Sequence, residues 1–296
     1  MQQSAIVAHH PGNPWPRDGR QSWFSFADCC IHGIEFKQSE GAKASVLFLH
    51  GRYGDATLWA AVARELGSSA RCLSIDLPGF GDSYSIRRGG LSLIESAVLI
   101  EHAIEQFATP GEPVVLVGHD IGGTVVLMSG THLMNRVAGV AVLNPACLTR
   151  PAEGFQSGTL AWRLRRRARL QCNDSRILSA DLRDELLQPW QSRAARRSRV
   201  NALRLIERSW PGHYERLAWK RELSRMPHPV LILWGSRDRM NPPALGTELL
   251  HQLPNADLLE DPACSHWLPL ENPAWVGRKL REFLFRVRGP ARRVPA

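Results

Sequence analysis

Apolar residues gather in short unbroken runs separated by longer segments with helical spacing. Ser45–Leu49 (SVLFL), Arg71–Ile75 (RCLSI), Pro113–Val117 (PVVLV), Val137–Leu143 (VAGVAVL) and Val230–Trp234 (VLILW) are such runs. Apolar runs of this length, closed by turn residues, read as strands buried on both faces. Weaker signals place a short strand at Gly33–Gln38 and a last one at Asp257–Glu260. Between them, Trp59–Leu66, Ser92–Phe107, Thr124–Leu133 and Trp275–Phe285 carry apolar residues at helical intervals. Strands alternating with helices predict a mostly parallel sheet of about eight strands covered on both faces. The first twenty residues, rich in Pro, Gly and His, read as an irregular lead-in.

The rhythm breaks after Pro151. Up to about Met226 the chain has Arg-rich helical stretches with Trp162, Leu164, Leu170, Ile177, Leu182, Leu186, Leu187, Leu203 and Ile206, and no short buried run. A helical excursion inserted into an α/β core accounts for this. The expected division is a core of residues 1–148 and 228–285, a helical cap at 149–227, and a flexible basic tail at 286–296.

Composition adds limits. With 296 residues, 44% hydrophobic and 22% charged, the chain can bury a sizeable core, which excludes disordered and collagen-like classes. Six cysteines without a CxxC pair argue against a disulfide framework or a cysteine-rich metal site. No apolar stretch reaches about 18 residues, and the N-terminus lacks a signal-peptide pattern, so a cytoplasmic protein without a membrane span is expected. The net charge of +9 is local: Arg150–Arg225 holds 18 Lys/Arg against 8 Asp/Glu, a net of +10, leaving −1 elsewhere. Such a cap can greet an acidic protein or an anionic substrate, or serve as a solvated face. A nucleic-acid role is not expected, because the basic stretches lack interleaved aromatics and no nucleic-acid module is present.

The sharpest local signal is PVVLV-GHDIGG-TVVLM, a strand, a glycine-flanked tight turn and a helix. Gly118, Gly122 and Gly123 give room for the helix to pass close to the strand. The residue at the tip, Asp120, stands where the nucleophile-elbow pattern usually has Ser. A carboxylate there is already ionised at neutral pH and needs no base to activate it.

The chain resembles the α/β-hydrolase superfamily, and in particular its Asp-nucleophile branch of epoxide hydrolases, haloalkane dehalogenases and haloacetate dehalogenases. The resemblance covers roughly residues 33–285. It rests on Leu49-His50-Gly51, the Asp76–Ser83 loop (DLPGFGDS), Gly118–Gly123, Leu233–Asp238 (LWGSRD) and Ser265–Pro273 (SHWLPLENP), in that order. The resemblance implies an α/β-hydrolase fold with a helical cap, no metal and no organic cofactor. It implies that Asp120 attacks carbon to form an ester, His266 activates the water that hydrolyses it, and Asp238 orients His266. Backbone N–H groups of Ile121 and Arg52 would form the oxyanion hole. His50, Gly51 and His119 would organise the site, and Asp76 would shape its wall.

The leaving group follows less directly. Tyr214, late in the cap, resembles a cap tyrosine that protonates an epoxide oxygen, with His213 a weaker stand-in. Relatives that release halide commonly have Trp or Arg after the nucleophile and Asn after the oxyanion His-Gly; this chain has Ile121 and Arg52. Many epoxide hydrolases have proline in the His-Gly-x-Pro loop, where this chain has Tyr53. The leading expectation is an epoxide hydrolase acting on a hydrophobic or amphipathic small molecule, with water as second substrate. The alternatives are a dehalogenase, an ester-, lactone- or thioester-processing enzyme, and a small-molecule binder on a hydrolase scaffold.

Overall fold

A computed structural model of the chain describes residues 19–36, 44–86, 89–133, 135–146 and 178–288; the side chains of Glu185, Pro189, Trp190, His213, Tyr214 and Arg216 also lie outside the description. The strands are β1 (Gly19–Phe26), β2 (Cys29–Phe36), β3 (Ser45–Leu49), β4 (Arg71–Ile75), β5 (Tyr84–Ser85), β6 (Val114–His119), β7 (Gly139–Leu143), β8 (Val230–Gly235) and β9 (Ala256–Asp261). The helices are α1 (Ala60–Leu66), α2 (Leu93–Phe107), α3 (Ile121–His132), α4 (Ala180–Gln191), α5 (Arg193–Arg208), α6 (His213–Leu223), α7 (Ala244–Leu250), α8 (Leu268–Glu271) and α9 (Pro273–Arg288).

Eight strands run in the order β1-β2-β4-β3-β6-β7-β8-β9, and the two-residue β5 pairs with β2. From β4 through β9 every pairing is parallel. The hairpin β1–β2 adds an antiparallel edge. Strands β3, β6, β7 and β8 are buried at every position, which is why their sequences are continuous apolar runs. Edge strand β1 instead alternates between half-buried and exposed positions. Helix α2 begins in a reciprocal capping box. The Ser92 hydroxyl accepts from the Glu95 N–H, while the Glu95 carboxylate accepts from the Ser92 N–H.

Several expected boundaries shift. The first strand begins at Gly19, so the irregular lead-in ends before residue 20; its remainder lies outside the described residues. The strand expected at Gly33–Gln38 is β2, Cys29–Phe36, with residues 37–38 outside the description. Helix α3 begins at Ile121, directly on the elbow, rather than at Thr124, since glycines at 122 and 123 are needed for contact and do not delay the helix. Helix α9 runs to Arg288, so the expected tail starts later, and residues 289–296 are outside the description. Of the cap, α4, α5 and α6 are described, whereas residues 147–177, with Trp162 and the arginines at 163–169, are not. Arg193, Arg197 and Arg208 on α5 are exposed and give the cap a positive outer face.

The chain reverses its direction of travel across the sheet at β3. It moves from β3 to β4 on one side, then from α2 to β6 on the other. In open parallel sheets, the crevice beyond the strand ends at such a switch point is where ligands bind. The loops after β3, β6, β7, β8 and β9 all open at this end.

Close contact at the switch point depends on glycine. A Cβ on Gly122 would lie 2.5 Å from the carbonyl oxygens of both Leu49 and His50, main-chain atoms that cannot rotate away. Gly122→Ala is therefore expected to destabilise the fold by about 3 kcal/mol, read as a lower midpoint in urea unfolding. An unchanged midpoint would show that β3 and α3 are less tightly apposed.

Candidate active site

Asp120 ends β6 and precedes α3 with φ +53° and ψ −118°, one of three non-glycine residues with positive φ among those described. That conformation costs about 1–3 kcal/mol and persists only where neighbours enforce it. Here the Asp120 N–H donates to the Leu143 carbonyl at 3.1 Å, and the Asp120 carbonyl accepts from the Ala146 N–H at 3.1 Å. The elbow is thereby pinned to β7 and the loop after it. The Asp120 side chain is fully buried.

Arg52 meets it from the loop after β3. Its Nε donates to Asp120 Oδ2 at 2.8 Å and its Nη2 to Oδ1 at 2.7 Å. Its backbone N–H also donates to Oδ2, at 3.0 Å. Arg52 is buried as well, only 5% exposed. Burial works to raise the Asp120 pKa, but the Arg52 charge and then His266 outweigh it, holding the carboxyl well below the usual carboxylate range. The sequence reading took from Arg52 its backbone N–H alone. The guanidinium clamp is the larger feature, and no local pattern announces it.

His266, in the loop after β9, is buried. Its Nδ1–H donates to Asp238 Oδ2 at 2.8 Å, so Asp238 and His266 form the expected pair. His266 Nε2 is buried with no hydrogen-bond partner among the described residues. Burial acts to lower the His266 pKa, while Asp238 and, beyond it, Asp120 raise it above its ordinary 6.5. Asp238 is itself held by residues that the sequence analysis did not single out. Asn144 Nδ2 donates to Asp238 Oδ2 at 2.7 Å, and Asp238 Oδ1 accepts from the N–H groups of Met240 and Asn241. Asn241 Nδ2 in turn reaches Asp120 Oδ1 at 3.3 Å and the Asn144 carbonyl at 2.8 Å. The buried Glu271 carboxylate accepts from the N–H groups of Ser265 and Trp267, the two neighbours of His266. It steadies that loop.

The residues read as organisers lie beside the elbow and the loops around it. His50 donates from Nδ1 to the Gly51 carbonyl at 2.8 Å and accepts at Nε2 from the Leu77 N–H at 3.0 Å, joining the loops after β3 and β4. Gly51 passes so close to the elbow that a Cβ there would sit 2.7 Å from Asp120 Cβ. His119 Nε2 donates to the His266 carbonyl at 2.7 Å. Burial and the adjacent His266 lower the His119 pKa to about 3, which keeps it neutral. Ile121 is buried and opens α3, where the N–H groups of the first turn have no intrahelical acceptor. The Asp76 carboxylate accepts from His32 Nδ1 and from the N–H groups of Ala56 and Asp82, a scaffold for the site wall. Tyr214 and His213 lie at the start of α6, with their side chains outside the description, so the structure does not join them to Asp120.

One cap arginine behaves unlike its neighbours. Arg199 is 3% exposed; its Nη1 donates to the Gly54 carbonyl at 3.1 Å and its Nη2 to Asp55 Oδ2 at 3.4 Å, with the guanidinium 5.6 Å from the centre of the Phe80 ring. It ties cap helix α5 to the loop that carries Arg52. The sequence held a signal, since Arg199 stands four and seven residues before Leu203 and Ile206, on the apolar face of its helix.

Residues 46–278 match the family described as "Alpha/beta hydrolase family". The chain belongs to that family, and a hydrolase is the class of enzyme this supports. It is 28% identical over 227 residues to the dihydrolipoyllysine-residue acetyltransferase component of the acetoin cleaving system of Cupriavidus necator, covering 75% of this chain and 59% of that one. It is 24% identical over 270 residues to a 2-hydroxy-6-oxononadienedioate/2-hydroxy-6-oxononatrienedioate hydrolase of Burkholderia vietnamiensis, covering 86% and 91%. Among solved structures it is similar to a bacterial membrane phospholipase A (TM-score 0.74, 21% identity, covering 92% and 88%). It is also similar to a haloalkane dehalogenase from Bradyrhizobium elkani (TM-score 0.71, 18% identity, covering 92% and 99%). Serine hydrolases and a haloalkane dehalogenase are both among the solved structures similar to this chain, so that likeness shows the fold and does not point to the Asp-nucleophile branch. Among the described residues no helix is long and apolar enough to cross a membrane, and no group of three or more His, Cys, Asp or Glu could hold a metal ion.

Two outcomes follow from this geometry. Asp120→Ala leaves the Arg52 guanidinium buried without its counter-ion and should cost about 3–5 kcal/mol of unfolding free energy. Adding Arg52→Met should recover part of that loss; no recovery would mean the pair is not coupled. His266 is available as a base only when neutral, so any activity that needs it should rise with pH through a pKa above 6.5. Asp238→Asn removes the charge that raises this pKa, and the acid limb of the pH–rate profile should move to lower pH. A limb that stays in place would assign it to another group.

Proposed function

We propose that this protein is a hydrolase in which Asp120 is the nucleophile and an epoxide of a small, largely apolar molecule is the substrate. The observation that carries this reading is an ionised carboxylate on the elbow together with the buried, unpartnered Nε2 of His266, itself oriented by Asp238. In the first step an Asp120 oxygen forms a bond to an epoxide carbon and the carbon–oxygen bond of the ring breaks. The ring oxygen takes its proton from a cap donor, for which Tyr214 is the candidate. In the second step His266 Nε2 takes a proton from water, and the hydroxide adds to the carbonyl of the Asp120 ester. The tetrahedral oxyanion is stabilised by the backbone N–H groups of Arg52 and Ile121. Its collapse expels the alkoxide, which takes the proton from His266 and leaves as the diol, while the proton left on the Asp120 carboxyl returns to the cap donor and restores the carboxylate. The sum is epoxide plus water to diol, with one water oxygen left in Asp120.

A second reading has its own support. With both Asp120 oxygens engaged by Arg52, Asp120 can serve as a fixed counter-charge while His266 directs water straight to a carbonyl carbon, as in hydrolysis of an ester or lactone. One experiment separates the two. Single turnover in heavy-oxygen water with a panel of epoxides, alkyl halides and esters, followed by mass spectrometry of the Asp120 peptide, should place label in that residue. His266→Gln should then trap the ester as an adduct on the same peptide, with the added mass of the epoxide. Turnover without label or adduct would overturn nucleophilic attack by Asp120 and favour the second reading. Label with an alkyl halide but not with an epoxide would replace the leaving group.

A further inference from the structure

The guanidinium of Arg52 has five N–H donors arranged along two edges. The Nε–Nη2 edge is taken by Asp120. Nη1, on the other edge, has no hydrogen-bond partner among the described residues and is not sealed from solvent, although the side chain as a whole is 94% buried. A largely buried cation whose outer edge still offers Nη1 and the second hydrogen of Nη2 is suited to a second planar oxyanion, since a carboxylate accepts two parallel N–H bonds from such an edge.

Charge conservation leads to the same ligand and rests on the covalent reading above. In the resting site Arg52 is neutralised by Asp120. Once Asp120 has become an ester and the opened oxygen has taken its proton from the cap donor, the negative charge has left Asp120 and passed to that donor. Arg52 is then left buried without its hydrogen-bonded counter-ion, a costly condition for an ion inside a protein. A neutral substrate offers no replacement. A substrate that carries its own carboxylate does, and it acts before the chemistry as well. By drawing on the guanidinium it loosens the clamp that occupies both oxygens of the nucleophile. Neutral molecules would meet Asp120 with its lone pairs still engaged.

We infer that Arg52 is a substrate-binding residue whose free edge takes a carboxylate of the substrate, so that the natural substrate is a carboxylic acid bearing the electrophilic carbon. A carboxylate fits better than a phosphate dianion, because Arg52 is the one permanently charged cation on Asp120 among the described residues, and it already shares its charge with that carboxylate.

The test is equilibrium binding by calorimetry to the full chain, using straight-chain and phenyl-substituted monocarboxylates from acetate to 4-phenylbutyrate, each paired with its primary amide. At least one acid should bind about tenfold more tightly than its amide, the worth of one charge-assisted pair. Arg52→Gln should bring acid and amide to within about twofold. Arg52→Lys, which keeps the charge opposite Asp120 but loses the fork, should remove most of the preference and serves if Arg52→Gln does not fold. The inference is overturned if no acid of the series binds more tightly than its amide, or if the preference survives in the Arg52 variants. Binding needs no turnover, so the two proposals fail separately. An intact acid preference without label in Asp120 would refute the covalent mechanism alone. Label with equal binding of acids and amides would refute the carboxylate site alone.

Discussion

Arg52 and Asp120 face each other out of water, and much of the local structure is arranged to keep them there. An ionised carboxylate at a fully buried position needs a counter-charge, and among the described residues Arg52, on the loop that leaves β3, supplies it. That loop must run against the elbow with almost no clearance. Gly51 provides this on one side, where a side chain would collide with Asp120 itself. Gly122 provides it on the other, where α3 presses on the carbonyl groups ending β3. The left-handed backbone of Asp120, disfavoured for a residue with a Cβ, is held by main-chain hydrogen bonds to Leu143 and Ala146. Strain, close contact and charge pairing are thus parts of one arrangement.

The remaining groups come from separate loops at the same end of the sheet, each fixed by a neighbour from a different strand. Asn144, after β7, bonds Asp238, after β8. Asp238 orients His266, after β9. His119, at the end of β6, holds the His266 carbonyl, while Glu271 accepts from the residues on both sides of it. The cap is joined to this assembly through a buried cation, Arg199, bound to the Tyr53–Asp55 segment just beyond Arg52. One side chain thus bridges cap helix α5 and the loop bearing Arg52, whereas Arg193, Arg197 and Arg208 of the same helix are exposed.

The legibility of these features followed their range along the chain. Continuous apolar runs marked β3, β6, β7 and β8, because a strand buried on both faces has no polar side to show. β1 carries Arg20, Gln21 and Ser22 on an edge strand, so its sequence looked irregular. The elbow was readable because its glycines are local requirements of a tight turn. Asp238 and His266 were readable by resemblance at fixed stations, and they meet in space. The parts played by Asn144 and Asn241 were not legible, since a carboxamide shows its role only when the acceptors it meets are known.

By itself, then, the sequence determined the alternating β/α order, the basic helical segment between β7 and β8 and the carboxylate on a glycine-lined elbow. These depend on residues close together or on strand and helix periodicity, so they survive in one dimension. The tertiary structure alone decided that Arg52, 68 positions before Asp120, turns its guanidinium onto both carboxylate oxygens. It also decided that one cap arginine of many, Arg199, is buried against the site loop. A charged side chain looks the same in sequence whether it is solvated or clamped, and only the folded chain fixes which opposite charge it meets and how much water lies between them.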